Sequence, residues 1–154
     1  MQKTRILFVC HGNICRSPMA EYIFKDLVKK RGLEQQFEIA SAATSDEEIG
    51  NPVYPPVRAL LSARGISCAG KTAVQLRAAD YGRWDMFIGM DGANRRNMQR
   101  LFGGDPQGKV SLLLDYTPHP RDVADPWYTR DFHGAEEDID RGCAALLNFI
   151  LQNR

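Results

Sequence analysis

The sequence predicts an α/β fold: a three-layer sandwich in which a four-stranded parallel sheet, ordered 2-1-3-4, is flanked by helices on both faces. Three observations predict it. Short, continuous apolar runs alternate along the chain with longer segments whose apolar residues recur at helical spacing. Strand and helix alternating throughout is the pattern of parallel strands joined by helical crossovers. No repeat, low-complexity tract or linker-like shift in composition divides residues 1–154, so a single domain is expected.

The first run, Arg5 to Val9, is rich in Ile, Leu, Phe and Val and reads as a strand buried on both faces. Pro18 to Lys30 follows as a helix, with Met19, Ile23 and Leu27 on one face widened by Tyr22, Phe24 and Val28. Ser17 is the expected N-cap and Pro18 the first helical residue. Gly32 ends that helix. Phe37 to Ala40 reads as the second strand, and Asp46 to Pro56 as a polar loop containing Pro and Gly. Pro56 to Arg64 is a helix closed by Gly65. Met86 to Met90 is the third strand, and Asn94 to Phe102 a helix stopped by Gly103-Gly104, with Asp91 as its expected cap. Val110 to Leu114 is the fourth strand. Glu136 to Gln152 is the terminal helix, with Ile139, Cys143, Leu146, Leu147 and Ile150 facing inward.

Composition excludes several classes of function. Hydrophobic residues make up 44% and charged residues 25% of the 154, ordinary for a soluble domain. A formal charge of +1 gives no global attraction to nucleic acid or anionic membrane, so anion binding must be local. Arg95, Arg96 and Arg100 read as a solvated helix face. No apolar run is long enough to span a bilayer, and no export signal is visible, so cytoplasmic residence is expected. The four cysteines then stay reduced. Cys68 is expected as a surface thiol and Cys143 as a helix core residue. His11, His119 and His133 have no metal-ligand spacing, so neither a metal site nor a cofactor is expected.

The chemistry concentrates in Cys10-His11-Gly12-Asn13-Ile14-Cys15-Arg16-Ser17. This segment joins the end of a buried strand to the start of a helix, the place where ligands bind in open parallel sheets. A helix N-terminus offers free amide N–H groups and the positive end of a dipole, a setting that favours an anion. Gly12 permits close approach of backbone to an oxyanion, and Asn13 tolerates the left-handed conformation of a tight loop. Arg16 supplies a planar fork matching two oxygens of a tetrahedral phosphate. A cysteine sulfur beneath such a phosphate can attack phosphorus and form a phosphocysteine. The leaving oxygen then needs a proton, and water must later be activated.

The ten residues Val9 to Pro18 closely resemble the signature of the low-molecular-weight protein tyrosine phosphatases. The likeness extends to Ser41-Ala42-Ala43, Met90-Asp91 and Asp125-Pro126-Trp127-Tyr128. It implies hydrolysis of phosphotyrosine, with Cys10 as nucleophile, Arg16 as phosphate clamp and Asp125 as general acid and then base. Ser17 would hydrogen-bond the Cys10 sulfur, and Asn13 would hold the loop together with Ser41. His11 is placed at the pocket rim, with Ile14 in the loop itself. Trp127 and Tyr128 would wall a deep slot selecting a phenyl ring. Cys15 either packs under the loop or, as the resemblance implies, closes a reversible disulfide with Cys10.

Departures from the family pattern bear on substrate preference. Glu47 falls where many relatives place an aromatic, Trp127 where tyrosine is commoner, Ala42 at a frequent glycine and Gly70 at a frequent histidine. Protein arginine phosphatases resemble this loop with Thr in place of Ile14, and the bulky aliphatic favours phosphotyrosine. Arsenate reductase is the other alternative, but it needs a relay of cysteines that Cys68 and Cys143 do not suggest. The expected partners are phosphotyrosine proteins or small aryl phosphates, acted on by a monomer, with no nucleic acid and no membrane.

Overall fold

Four parallel strands run in the order β2-β1-β3-β4 in the computed structural model, which describes residues 3–154. The central strand β1 (Thr4–Cys10) pairs with β2 (Phe37–Ala43) on one side and β3 (Met86–Gly89) on the other. The short β4 (Val110–Leu112) closes the far edge. Ile6 to Cys10 are all buried, as a strand covered on both faces requires.

Side chains alternate across β1 and feed two cores. Ile6, Phe8 and Cys10 join the larger one, against Met19, Ile23 and Phe24 of α1 (Arg16–Lys30). Val57 and Leu61 of α2 (Pro55–Ala63) pack into it too, as do Ile139, Cys143 and Leu146 of the terminal helix. Leu7 and Val9 face the smaller core, with Trp84, Phe87 and Met98 of α3 (Gly92–Leu101). Gly89 lets α3 approach the sheet closely: a Cβ there would lie 3.0 Å from Met98 Cε and 3.1 Å from Asn94 Cβ.

The predicted architecture and strand order hold, and several boundaries move. β2 continues to Ala43, carrying Ser41 into the sheet, while β4 stops at Leu112 and gives way to a 3₁₀ turn over Leu113–Tyr116. A four-residue helix, α4 (Pro126–Thr129), is too short for periodicity to reveal. The terminal helix α5 (Phe132–Gln152) begins four residues earlier than predicted, capped by Asp131 accepting from Gly134 N–H. The first helix opens at Arg16, not at Pro18, and Ser17 is not its cap. The Ser17 hydroxyl is turned under the preceding loop. Cys68 is buried rather than at the surface, and its burial pushes its thiol pKa up. None of the helices among the described residues is long and apolar enough to cross a membrane.

Candidate active site

The loop from Cys10 to Cys15 lies at the carboxyl end of β1 and runs straight into the first turn of α1. Asn13 sits at φ 60°, the left-handed conformation expected of it, and is 1% exposed. Its side chain holds the loop in three directions. Oδ1 accepts from Val74 N–H (3.2 Å), while Nδ2 donates to Ser17 Oγ (2.8 Å) and to Ser41 Oγ (2.9 Å).

The polarity of this network follows from its ends. A backbone N–H can only donate, so the Asn13 atom facing Val74 is the oxygen, and the amide gives one hydrogen to each serine. Each serine hydroxyl then has its own proton to place. Ser41 donates to the Glu21 carboxylate at 2.5 Å. Ser17 stands 3.0 Å from Cys10 Sγ and donates to the sulfur. Asn13 N–H donates to the same sulfur at 3.3 Å. Two donors therefore converge on Cys10, a setting that stabilises negative charge on sulfur.

Sequence reasoning missed Glu21. It lies a full turn into α1, 4% exposed, where an amphipathic pattern predicts only a surface charge. Lys25 Nζ donates to its other oxygen at 2.6 Å, and Lys71 Nζ lies 4.0 Å from the first while donating to Ser41 O at 3.0 Å. Lys71 follows Gly70; burial lowers the pKa of its ammonium, and Glu21 opposes that shift.

Arg16 is 2% exposed, and its guanidinium makes three hydrogen bonds to protein oxygens. Nη1 donates to Asp91 Oδ2 (2.7 Å) and to Val123 O (2.8 Å); Nη2 reaches Asp125 Oδ2 at 3.4 Å. Burial alone would depress its pKa, but Cys10, Asp125 and Asp91 more than offset that, and the pKa is raised. Asp91 caps α3 as expected, Oδ1 accepting from Asn94 N–H at 2.8 Å. Its second oxygen, which orients Arg16, is the role sequence did not disclose, because the two residues are 75 positions apart.

Cys10, Arg16 and Asp125 border one cavity of about 110 Å³, with His11, Gly12, Ile14 and Cys15 also in its wall. Trp127 and Tyr128 form the opposite side, 43% and 79% exposed. The Trp127 ring leans on Tyr54, centroids 4.9 Å apart, and Arg130 Nη2 donates to the Tyr54 hydroxyl. Glu47 completes the rim, its Oε2 2.7 Å from His11 Nε2. Glu48, not anticipated, lines the wall beside Gly12. Ser17 and Ser41 do not line the cavity; they act from beneath. Burial, with the negative charge of Cys10 and Asp125, pushes the Cys15 thiol up to about 12, so it is neutral near pH 7. The described residues contain no cluster of side chains suited to a metal ion.

Comparison with known proteins agrees with this geometry. The family model for low molecular weight phosphotyrosine protein phosphatase matches residues 5–154. The low molecular weight protein-tyrosine-phosphatase YfkJ of Bacillus subtilis is 39% identical over 151 residues, 97% of each chain. Its crystal structure superposes with a TM-score of 0.96 at 38% identity, covering 100% of this chain and 98% of that one. The low molecular weight phosphotyrosine protein phosphatase of Gallus gallus is 37% identical over 147 residues, 92% of each chain. The Drosophila arginine phosphatase DARP gives a TM-score of 0.87 at 29% identity, covering 94% of this chain and 96% of the other. A likeness that spans the chain almost from end to end leads to one assignment: this protein belongs to the low molecular weight phosphotyrosine protein phosphatases and is a phosphoric monoester hydrolase.

Proposed function

We propose that this enzyme hydrolyses phosphotyrosine through a phosphocysteine on Cys10. The observation that carries the reading is the convergence of Ser17 Oγ and Asn13 N–H on Cys10 Sγ, in a cavity also bordered by Arg16 and Asp125. In the first step the Cys10 sulfur attacks phosphorus, the P–O bond to the ring breaks, and Asp125 gives its proton to the departing phenolic oxygen. In the second, Asp125 takes a proton from water, the water oxygen attacks phosphorus, and the S–P bond breaks with its electrons returning to Cys10. Arg16 and the loop amides hold the equatorial oxygens throughout. Ser17 assists the second step by donating to the leaving sulfur.

Substrate choice rests on the wall opposite the loop. Trp127 and Tyr128 there, facing Ile14 of the loop, suit a flat aromatic ring, which a short phosphoserine does not fill. The 29% likeness to an arginine phosphatase keeps phosphoarginine as the competing substrate. Cys68 and Cys143 lie outside the cavity, which weighs against an arsenate-reducing relay.

The test is a trapping experiment. Asp125→Asn mixed with an aryl phosphate and quenched in acid is expected to carry phosphate on Cys10 by mass spectrometry, and Cys10→Ser to carry none and to lose turnover. Peptides bearing phosphotyrosine are expected to release phosphate faster than matched phosphoserine or phosphoarginine peptides, with or without EDTA. Wild-type turnover by Cys10→Ser rules the mechanism out.

A further inference from the structure

The segment from Thr117 to Asp125 contains no regular secondary structure, so its place depends on bonds to the rest of the molecule. It carries two groups of the site: the Val123 carbonyl that accepts from Arg16, and Asp125. Val123 N–H donates to Met90 O at 2.8 Å, and Gly92 N–H donates to Asp122 Oδ1 at 3.2 Å, tying the middle of the segment to the end of the sheet. A further tie reaches α5. Arg121 Nη2 donates to Asp138 Oδ1 at 2.6 Å and Nη1 to Asp138 Oδ2 at 2.9 Å, a two-pronged pair. The same Nη1 also donates to Asp122 O at 3.2 Å, so one guanidinium grips both the helix and the segment's own backbone.

Asp138 is only 7% exposed, and Arg141 Nη2 also donates to it. A carboxylate is seldom placed on the buried side of a helix unless its charge is matched. Here two arginines match it, one from its own helix and one from the segment that ends in Asp125.

We propose that Asp138, through Arg121, is a positioning residue that sets where Asp125 stands relative to the departing oxygen; this rests on Asp125 being the acid, as assigned above. Neither residue touches the substrate. A group that only stabilised the fold would change all substrates alike. One that places the acid changes most those substrates whose leaving group needs the proton, since p-nitrophenolate departs readily without one and phenolate does not.

The experiment compares kcat/KM, which reads the steps through leaving-group departure, for phenyl phosphate and p-nitrophenyl phosphate. Asp138→Asn and Arg121→Gln are each expected to lose about tenfold on phenyl phosphate and less than about twofold on p-nitrophenyl phosphate. Asp125→Asn is the reference and is expected to show the same bias, more strongly. Equal losses on both substrates, or no loss on either, overturns the positioning role while Asp125→Asn keeps its bias. If Asp125→Asn shows no bias, the reading of Asp125 as acid fails, and the role of Asp138 with it. Should Asp138→Asn not fold, judged by circular dichroism, Arg121→Gln decides, because the Arg121 side chain is 54% exposed and the change tolerable.

Discussion

The two sides of the cavity are built in opposite ways. On the loop side, Asn13, Arg16, Ser17, Ser41 and Glu21 are all at most 4% exposed, and Asn13, Ser17, Ser41 and Glu21 are joined by hydrogen bonds no longer than 2.9 Å between serine, amide and carboxylate. On the facing side, Trp127 and Tyr128 stand in solvent on a four-residue helix that leans on Tyr54. In the mechanism proposed above, the buried side treats a phosphoryl group the same way whatever it is attached to. The exposed side meets the part of the substrate that varies. Buried hydrogen bonds are concentrated where that mechanism needs constant chemistry, and exposed aromatic surface where the substrate varies.

Substitutions on the two sides separate these roles. Arg16→Lys keeps the charge but cannot serve Asp91, Val123 and a phosphate from one planar group, and kcat/KM for an aryl phosphate is expected to fall by about a hundredfold or more. Asn13→Ala removes three hydrogen bonds and leaves alanine in the left-handed region; urea unfolding is expected to show a loss of about 2–4 kcal/mol. Trp127→Ala on the exposed side is expected to raise KM for phosphotyrosine peptides by about three- to tenfold, with unfolding stability changed by less than about 0.5 kcal/mol. A large stability loss there, or none at Asn13, breaks the contrast.

The smallest effect is expected at Cys15. Its thiol pKa, held at about 12 mainly by burial, leaves it protonated at pH 8. Iodoacetamide at pH 8 is expected to label position 10 and spare position 15 in peptide mapping. Cys15→Ala is expected to keep kcat within about twofold of wild type. Because its raised thiol pKa favours the protonated form, Cys15 adds stability below the unfolded-state value near 9, and that contribution is lost as pH rises from there toward 12.

The loop side was the more legible of the two in the sequence. A buried apolar run, a Cys-to-Arg loop and an amphipathic helix are local patterns, and they located Cys10, Asn13 and Arg16 at the junction of β1 and α1. What stayed hidden was long-range. Glu21 reads as a surface charge until β2 extends far enough to bring Ser41 against it. Asp91 reads as a cap until Arg16 arrives from 75 residues away. Ser17 reads as a cap as well, because a serine before a proline is chemically suited to that task; a sulfur overhead claims its hydroxyl instead. Cys68 carries no periodic signal in its loop, so its burial could not be read from spacing.

The side chain at position 13 also illustrates how little mass a functional state can depend on. Replacing its amide nitrogen by oxygen leaves size and shape nearly untouched, yet a carboxylate offers hydrogens to neither serine. Ser17 would then turn its proton toward residue 13, and the sulfur would lose a partner with every heavy atom still in place.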